Sequence, residues 1–188
     1  MVTPPQKTNL LLTGPSGVGK SELIKKIATA NPHLKVRGFL SEVIMEAGQR
    51  TGWRLDPLNG QGGVYIGLGI ESPHKLETRL GTYGIDLTLL ERLVDSELRL
   101  ENGADLYLID EISRTGVLSP KFMSAVTALL DSGKPVIAAI HSKADGFVRQ
   151  VRERSDAEMW EVTPEKREGM PARIMAWLKT SSIGSQII

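Results

Sequence analysis

The stretch Gly14-Pro15-Ser16-Gly17-Val18-Gly19-Lys20-Ser21 decides how this 188-residue chain folds. It matches G-x-x-x-x-G-K-[ST] at every defined position. Before it, Leu10-Leu11-Leu12 run apolar without alternation, the pattern of a strand buried on both faces in a parallel sheet. After Gly19, KSELIKKIATA places Leu23, Ile24, Ile27 and Ala28 at helical spacing, and Asn31-Pro32 stops the run. Strand, glycine-rich turn and helix, in that order, make a cradle for a polyphosphate. The glycines let successive backbone N–H groups turn inward without interference from Cβ atoms. The helix start adds unpaired N–H groups and the positive end of its dipole. Within this nucleotide-binding loop, Lys20 is expected to meet the β- and γ-phosphates and to act in catalysis, and the Ser21 hydroxyl to be a Mg²⁺ ligand.

A second signal stands about ninety residues downstream. Leu106-Tyr107-Leu108-Ile109 is another buried-type strand, and it ends in Asp110-Glu111. Two carboxylates at the C-terminal edge of a central strand lie where open α/β sheets place their ligands, which is the Walker B pattern. Asp110 is expected to hold the Mg²⁺ through a coordinated water, and Glu111 to orient or deprotonate the attacking water. Glu111 separates hydrolysis from transfer to another acceptor. Many P-loop kinases of small metabolites lack a glutamate here and carry an arginine-rich lid, and no such lid stands out.

The rest of the chain alternates in type. Residues 35–70 hold short apolar runs cut by glycines, with Ala47-Gly48-Gln49-Arg50 as a hairpin connection. They read as an antiparallel hairpin plus one further strand inserted at the side of the sheet. A helix follows over 86–101, with Thr88 and Glu91 at capping-box spacing and Asn102-Gly103 as its stop. Ser119-Pro120 starts the next helix and Ser132-Gly133 ends it; Val136–Ile140 is a strand; a helix near 144–154 follows. A strand at Glu158–Val162 then leads to a last helix begun by Thr163-Pro164. The expected fold is α/β, a single P-loop NTPase domain over 1–188 with a mostly parallel central sheet, a loose lead-in and a flexible tail at 180–188.

Composition narrows the chemistry further. The formal charge of +1 indicates neither nucleic acid nor an anionic membrane as partner. With no cysteine, disulfides, zinc-thiolate sites, iron–sulfur clusters and thiol nucleophiles are excluded. No stretch approaches the ~20 apolar residues that cross a bilayer, so a cytoplasmic, monomeric protein is the expectation.

The two motifs and their surroundings resemble the THEP1-type nucleoside-triphosphatase family, which includes the animal cancer-related nucleoside-triphosphatases. GPSGVGKS is similar to that family's G-x-P-G-V-G-K-T. Arg37–Val43 with Gly48, Arg50 and Gly52-Trp53 resembles its G-F-x-T-E-E-V…G-x-R-x-G-F, and Leu80–Asp86 its V-G-x-Y-x-V-D. Ile109–Ile112 matches its I-D-E-I, and Pro135–Val151 and Glu161–Pro171 resemble its P-V-x-A-x-I-H and V-T-x-x-N-R-D segments. The resemblance implies a RecA-like three-layer sandwich and slow, Mg²⁺-dependent hydrolysis of ATP, GTP and other nucleoside triphosphates with broad base tolerance. The chain departs from D-E-I-G-K-M-E: Arg114 replaces the lysine and Gly116 the second glutamate.

Other residues carry two readings each. His141, at the end of Val136–Ile140, is either a γ-phosphate sensor or an ordinary polar strand cap. Arg114 can meet a phosphate. Lys166 and Arg167 either border the base or ribose or form a solvated helix face. Glu42 and Arg50 belong to an acceptor-binding or lid element or to a salt-bridged sheet surface, while Phe39 and Trp53 read as packing residues rather than base-stacking groups. Arg149, Arg152 and Arg154, interleaved with Glu153 and Asp156, read as an exposed helix. Nucleoside-triphosphate hydrolysis leads; a kinase of a nucleoside or nucleic-acid end, and a nucleotide-dependent switch without catalysis, are the alternatives. No guanine-reading N/T-K-x-D string fixes the base.

Overall fold

The three leucines of the first strand divide the core between two faces. The structure, a computed structural model, describes residues 7–60, 62–68, 77–80, 83–100, 103–142 and 145–180. In β1 (Asn9–Thr13), Leu10, Leu11 and Leu12 are all fully buried. Leu10 and Leu12 join α1 (Lys20–Ala30) and α5 (Met170–Lys179) in one cluster. Leu11 joins α2 (Leu87–Glu97), α3 (Pro120–Asp131) and α4 (Gly146–Arg152) in the other. The same alternation runs through β7 (Leu106–Ile112) and β8 (Val136–Ile140). Each fully buried aliphatic side chain contributes about 1.5–3 kcal/mol, so a sheet covered on both faces is strongly held. The result is a three-layer α/β/α sandwich.

The remaining strands are β2 (Val36–Glu46), β3 (Gln49–Pro57), β4 (Val64–Leu68), β5 (Glu77–Leu80), β6 (Tyr83–Asp86) and β9 (Ala157–Glu161). All lie in one sheet of order β5-β6-β4-β3-β2-β7-β8-β1-β9. From β2 to β9 every neighbouring pair is parallel, and from β2 outward to β5 every pair is antiparallel. β2 therefore changes the character of the sheet: Val36–Phe39 pairs with β7, while Phe39–Glu46 pairs with β3. The β2–β3 turn is Ala47-Gly48, with φ of 48° and 78°, so both central residues are left-handed, as the tightest hairpins require.

Several sequence expectations need correction. The antiparallel portion does not stop near residue 70 after one extra strand; β5 and β6 carry it to Asp86. Helix α2 is capped by Asp86, not by a Thr88–Glu91 box: the Asp86 carboxylate accepts from the N–H groups of Thr88 (2.9 Å) and Leu89 (3.1 Å). The last helix begins at Met170, not at Thr163-Pro164. A helix running through from 164 would need an N–H on Pro171 and would drive its ring into the Arg167 carbonyl. Residues 164–169 instead form turns, with Arg167 N–H donating to the Thr163 carbonyl at 2.9 Å. The lead-in at 1–6, Asn102, the Gly81-Thr82 pair and the tail beyond 180 lie outside the described residues. Among those described, no helix is long and apolar enough to cross a membrane.

Candidate functional site

Residues 14–19 connect β1 to α1 as an open turn shaped by glycine. Gly14 has φ 149°, and a Cβ there would stand 2.5 Å from the Val162 carbonyl oxygen, where the chain leaves β9. Gly19, the N-cap of α1, has φ 104°, and a Cβ there would meet Cδ of Arg167 at 2.8 Å. Both positions thus exclude a side chain by conformation and by space. Lys20 arches back over the loop, its Nζ donating to the carbonyls of Gly14 (2.9 Å) and Pro15 (3.2 Å). The ammonium is held at the mouth of the turn, where α1 also directs its free N–H groups.

The carboxylates reach this turn from the next-but-one strand, across β8. The β7–β8 register slips between Ile109 and Ile112, where Ile109 faces Ala138 and Ile112 faces Ile140. Such a bulge lets successive residues leave the strict up-and-down alternation of a strand. Asp110 is 1% exposed and accepts from both the N–H (3.1 Å) and the hydroxyl (3.0 Å) of Ser41 on β2. Burial pushes its carboxyl above the usual range, opposed by hydrogen bonds from Ser21 and Ser41 and by the Lys20 charge. Burial likewise raises Glu111, with Lys20 and His141 opposing and Asp110 adding to the rise. Lys20 therefore stands close enough to act on both acids.

Ser21 and Asp110 bring a hydroxyl and a carboxylate together, an all-oxygen pair that suits a hard divalent cation. Among the described residues no three His, Cys, Asp or Glu side chains gather as a metal cage. A site finished by phosphate oxygens and water, as for magnesium, fits this donor set.

A cavity of about 400 Å³ opens beside these groups, lined at its polar end by Gly14, Ser16, Lys20, Glu111, His141 and Ser142. His141 is therefore brought to the site. Arg114 borders the cavity with its guanidinium 3.3 Å from Asp145. Arg167 lies against the turn from the β9 side, whereas its neighbour Lys166 is exposed, its backbone tied to Thr163 and Gly169. Glu42 is drawn away into an ion pair with Arg54 at 2.8 Å, so the salt-bridged-surface reading holds for it. Arg50 differs: it borders the cavity and covers the Trp53 ring at 4.6 Å. The residue that motif reading missed is Ser41. Its signal is the β2–β7 register, in which Phe39 faces Ile109, and no local string encodes that.

A glycine-rich turn gripping a helix start, a lysine over it, and a buried aspartate followed by a half-buried glutamate opposite define the class: a P-loop nucleotide-binding protein. A family model described as "NTPase" matches residues 9–175, and the chain belongs to that family. It is 34% identical over 171 residues to Nucleoside-triphosphatase THEP1 of Thermotoga maritima, covering 90% of this chain and 95% of that one. It is 32% identical over 185 residues to the cancer-related nucleoside-triphosphatase of Homo sapiens, covering 92% and 97%. The crystal structure of THEP1 from Aquifex aeolicus superimposes with a TM-score of 0.78 at 27% identity, covering 90% of this chain and 98% of that one.

Proposed function

We propose that this protein hydrolyses nucleoside 5′-triphosphates to the diphosphate and phosphate, with Mg²⁺ and with broad base tolerance. The observation that carries the reading is Glu111: a carboxylate beside Lys20 and Asp110, lining the same cavity as the phosphate turn. The names of the relatives support it. Backbone N–H groups of the turn from Ser16 to Gly19 and the Lys20 ammonium bind and orient the phosphates. Ser21 and Asp110 would hold the magnesium ion, which when bound neutralises charge on the phosphate oxygens. Glu111 orients a water and takes its proton, and His141 lies where it can sense the terminal phosphate.

Nothing in this set reads base edges, and Arg167 offers a face on which any base or ribose can rest, so ATP, GTP, CTP and UTP are all expected substrates. No arginine is assigned to the transition state, so turnover is expected to be slow, on the order of 10⁻⁴–10⁻² s⁻¹. Phosphate release is measured with the four nucleotides for the parent and for Glu111→Gln. The variant is expected to retain nucleotide and lose at least about 100-fold in turnover. Parental turnover in Glu111→Gln would overturn the assignment.

A further inference from the structure

The β2–β3 hairpin brings a cation to the cavity by way of a fault in its register. β2 pairs with β7 only as far as Phe39, opposite Ile109, and then runs on with β3 to Glu46. The hairpin therefore projects past the last rung it shares with the parallel sheet. On β3, Arg50 and Trp53 are three residues apart, which in a regular strand puts side chains on opposite faces. Here Ile44 faces Gly52 while the next residue, Met45, faces Arg50, so Thr51 is an extra residue on β3. That bulge turns Arg50 onto the face of Trp53, and both line the cavity that holds Lys20 and Glu111. The guanidinium lies over the Trp53 ring at 4.6 Å, and Tyr83 backs that ring in turn, centroid to centroid at 4.9 Å.

Stacking uses the face of a guanidinium and not its N–H edge, which can still fork onto two oxygens of a phosphate. The other cations of the cavity are held differently. Lys20 is tied to carbonyls of the turn at 2.9 and 3.2 Å, and Arg114 lies 3.3 Å from Asp145. Arg50 is seated by a ring instead of an acid. In the sheet order it stands on the opposite side of β7 from the turn that follows β1, and β7 carries Asp110 and Glu111. A polyphosphate held in that turn keeps its inner phosphates among the backbone N–H groups, and only the terminal one extends toward β7 and the hairpin. We propose that Arg50 is a specificity-determining residue of the nucleotide site: it donates to the terminal phosphate and so separates the triphosphate from the diphosphate that hydrolysis leaves. Trp53 is its positioning residue, and the bulge at Thr51 aims it. The role is one of ground-state binding, and it rests on the P-loop reading of the turn. A diphosphate lacks the group that Arg50 meets, so its replacement by fresh triphosphate is favoured.

The test is calorimetric titration of the full chain, with Mg²⁺ present, by a non-hydrolysable ATP analogue and separately by ADP. Arg50 is exposed, so replacing it leaves the packed core intact. Arg50→Ala is expected to lose about tenfold in affinity for the triphosphate analogue and less than about twofold for ADP. Arg50→Lys keeps the charge without the planar fork, and its affinity for the analogue is expected to fall between those of Arg50→Ala and the parent. Parental affinity for the analogue in Arg50→Ala would overturn the assignment. So would an equal loss for the analogue and ADP, which is what a merely structural arginine would give. In either case the parent still binds nucleotide and the P-loop reading stands. A parent that binds neither nucleotide would overturn that reading and the assignment of Arg50 with it.

Discussion

Ser41 and Asp110 are joined twice: the N–H and the hydroxyl of Ser41 both donate to one carboxylate oxygen, at 3.1 and 3.0 Å. The pair ties the strand where the sheet changes character to the strand that carries Asp110 and Glu111. Both bonds oppose the rise that burial gives the Asp110 carboxyl, as does its hydrogen bond with Ser21.

Ser41→Ala removes one of the two bonds and leaves the backbone one. Groups that orient a metal-holding residue commonly carry 10–100-fold in metal affinity or activity. The Mg²⁺ concentration for half-maximal hydrolysis is expected to rise about tenfold in Ser41→Ala, with the folded state weakened by only about 1 kcal/mol. A Mg²⁺ titration of phosphate release checks it, and an unchanged midpoint would remove Ser41 from the site.

Glu111 makes a prediction with a sign. Burial raises its carboxyl above the ordinary glutamate range, and a general base works ionised. The acid limb of kcat/KM is therefore expected at higher pH than for a solvent-exposed glutamate. For stability, a carboxyl raised on folding binds its proton more tightly in the native state. It costs stability above its folded pKa, and that cost disappears as pH falls toward and below the unfolded value. Nucleotide-free Glu111→Gln is thus expected to melt about 2 °C above the parent at pH 8, with the gap closing by pH 4. Calorimetry at the two pH values checks this; a gap that widens toward acid would contradict the burial argument.

Gly19 and Arg167 predict a split in kinetic effects. Gly19→Ala places a Cβ at φ 104° and 2.8 Å from Arg167 Cδ. That strain, of order 1–3 kcal/mol, falls on the turn itself, so nucleotide affinity is expected to drop at least tenfold. Arg167→Ala frees the space but removes the contact surface, and KM is expected to rise several-fold with kcat within about twofold. A fall in kcat alone for Arg167→Ala would mean that the arginine acts on the reacting phosphate instead.

Glu97 tests how the sheet junction is held. This carboxylate is fully buried, accepts from Gly38 N–H at 3.1 Å and lies 3.6 Å from the Arg37 guanidinium. Glu97→Ala leaves the Gly38 N–H without its acceptor and opens a cavity, with an expected loss of about 2–4 kcal/mol. Urea denaturation measures it, and a loss below about 1 kcal/mol would show that the junction does not depend on this acid.

How much of this was legible beforehand varied with the range of the interaction. The β1–turn–α1 unit was readable because its strand, glycines, lysine and helix are contiguous. The helix start at Met170 was not, because Thr163-Pro164 is a sound local start that Pro171 overrides several residues later. Asp86 as the α2 cap is hidden for a similar reason: Thr88 offers the right spacing to Glu91, and only the backbone geometry at 86 selects between them. The two outer antiparallel strands are four residues each, too short for a period to declare itself.

By itself the sequence determined a P-loop turn and a carboxylate pair on a sheet buried from both sides, because those properties depend on neighbours along the chain. Only the tertiary structure decided that Ser41 holds Asp110, that Arg167 lies against Gly19 and that Arg50 covers Trp53 at the cavity. Those relationships join strands and turns far apart in sequence, and the register that brings them together is set by packing of the whole sheet, which no local pattern contains.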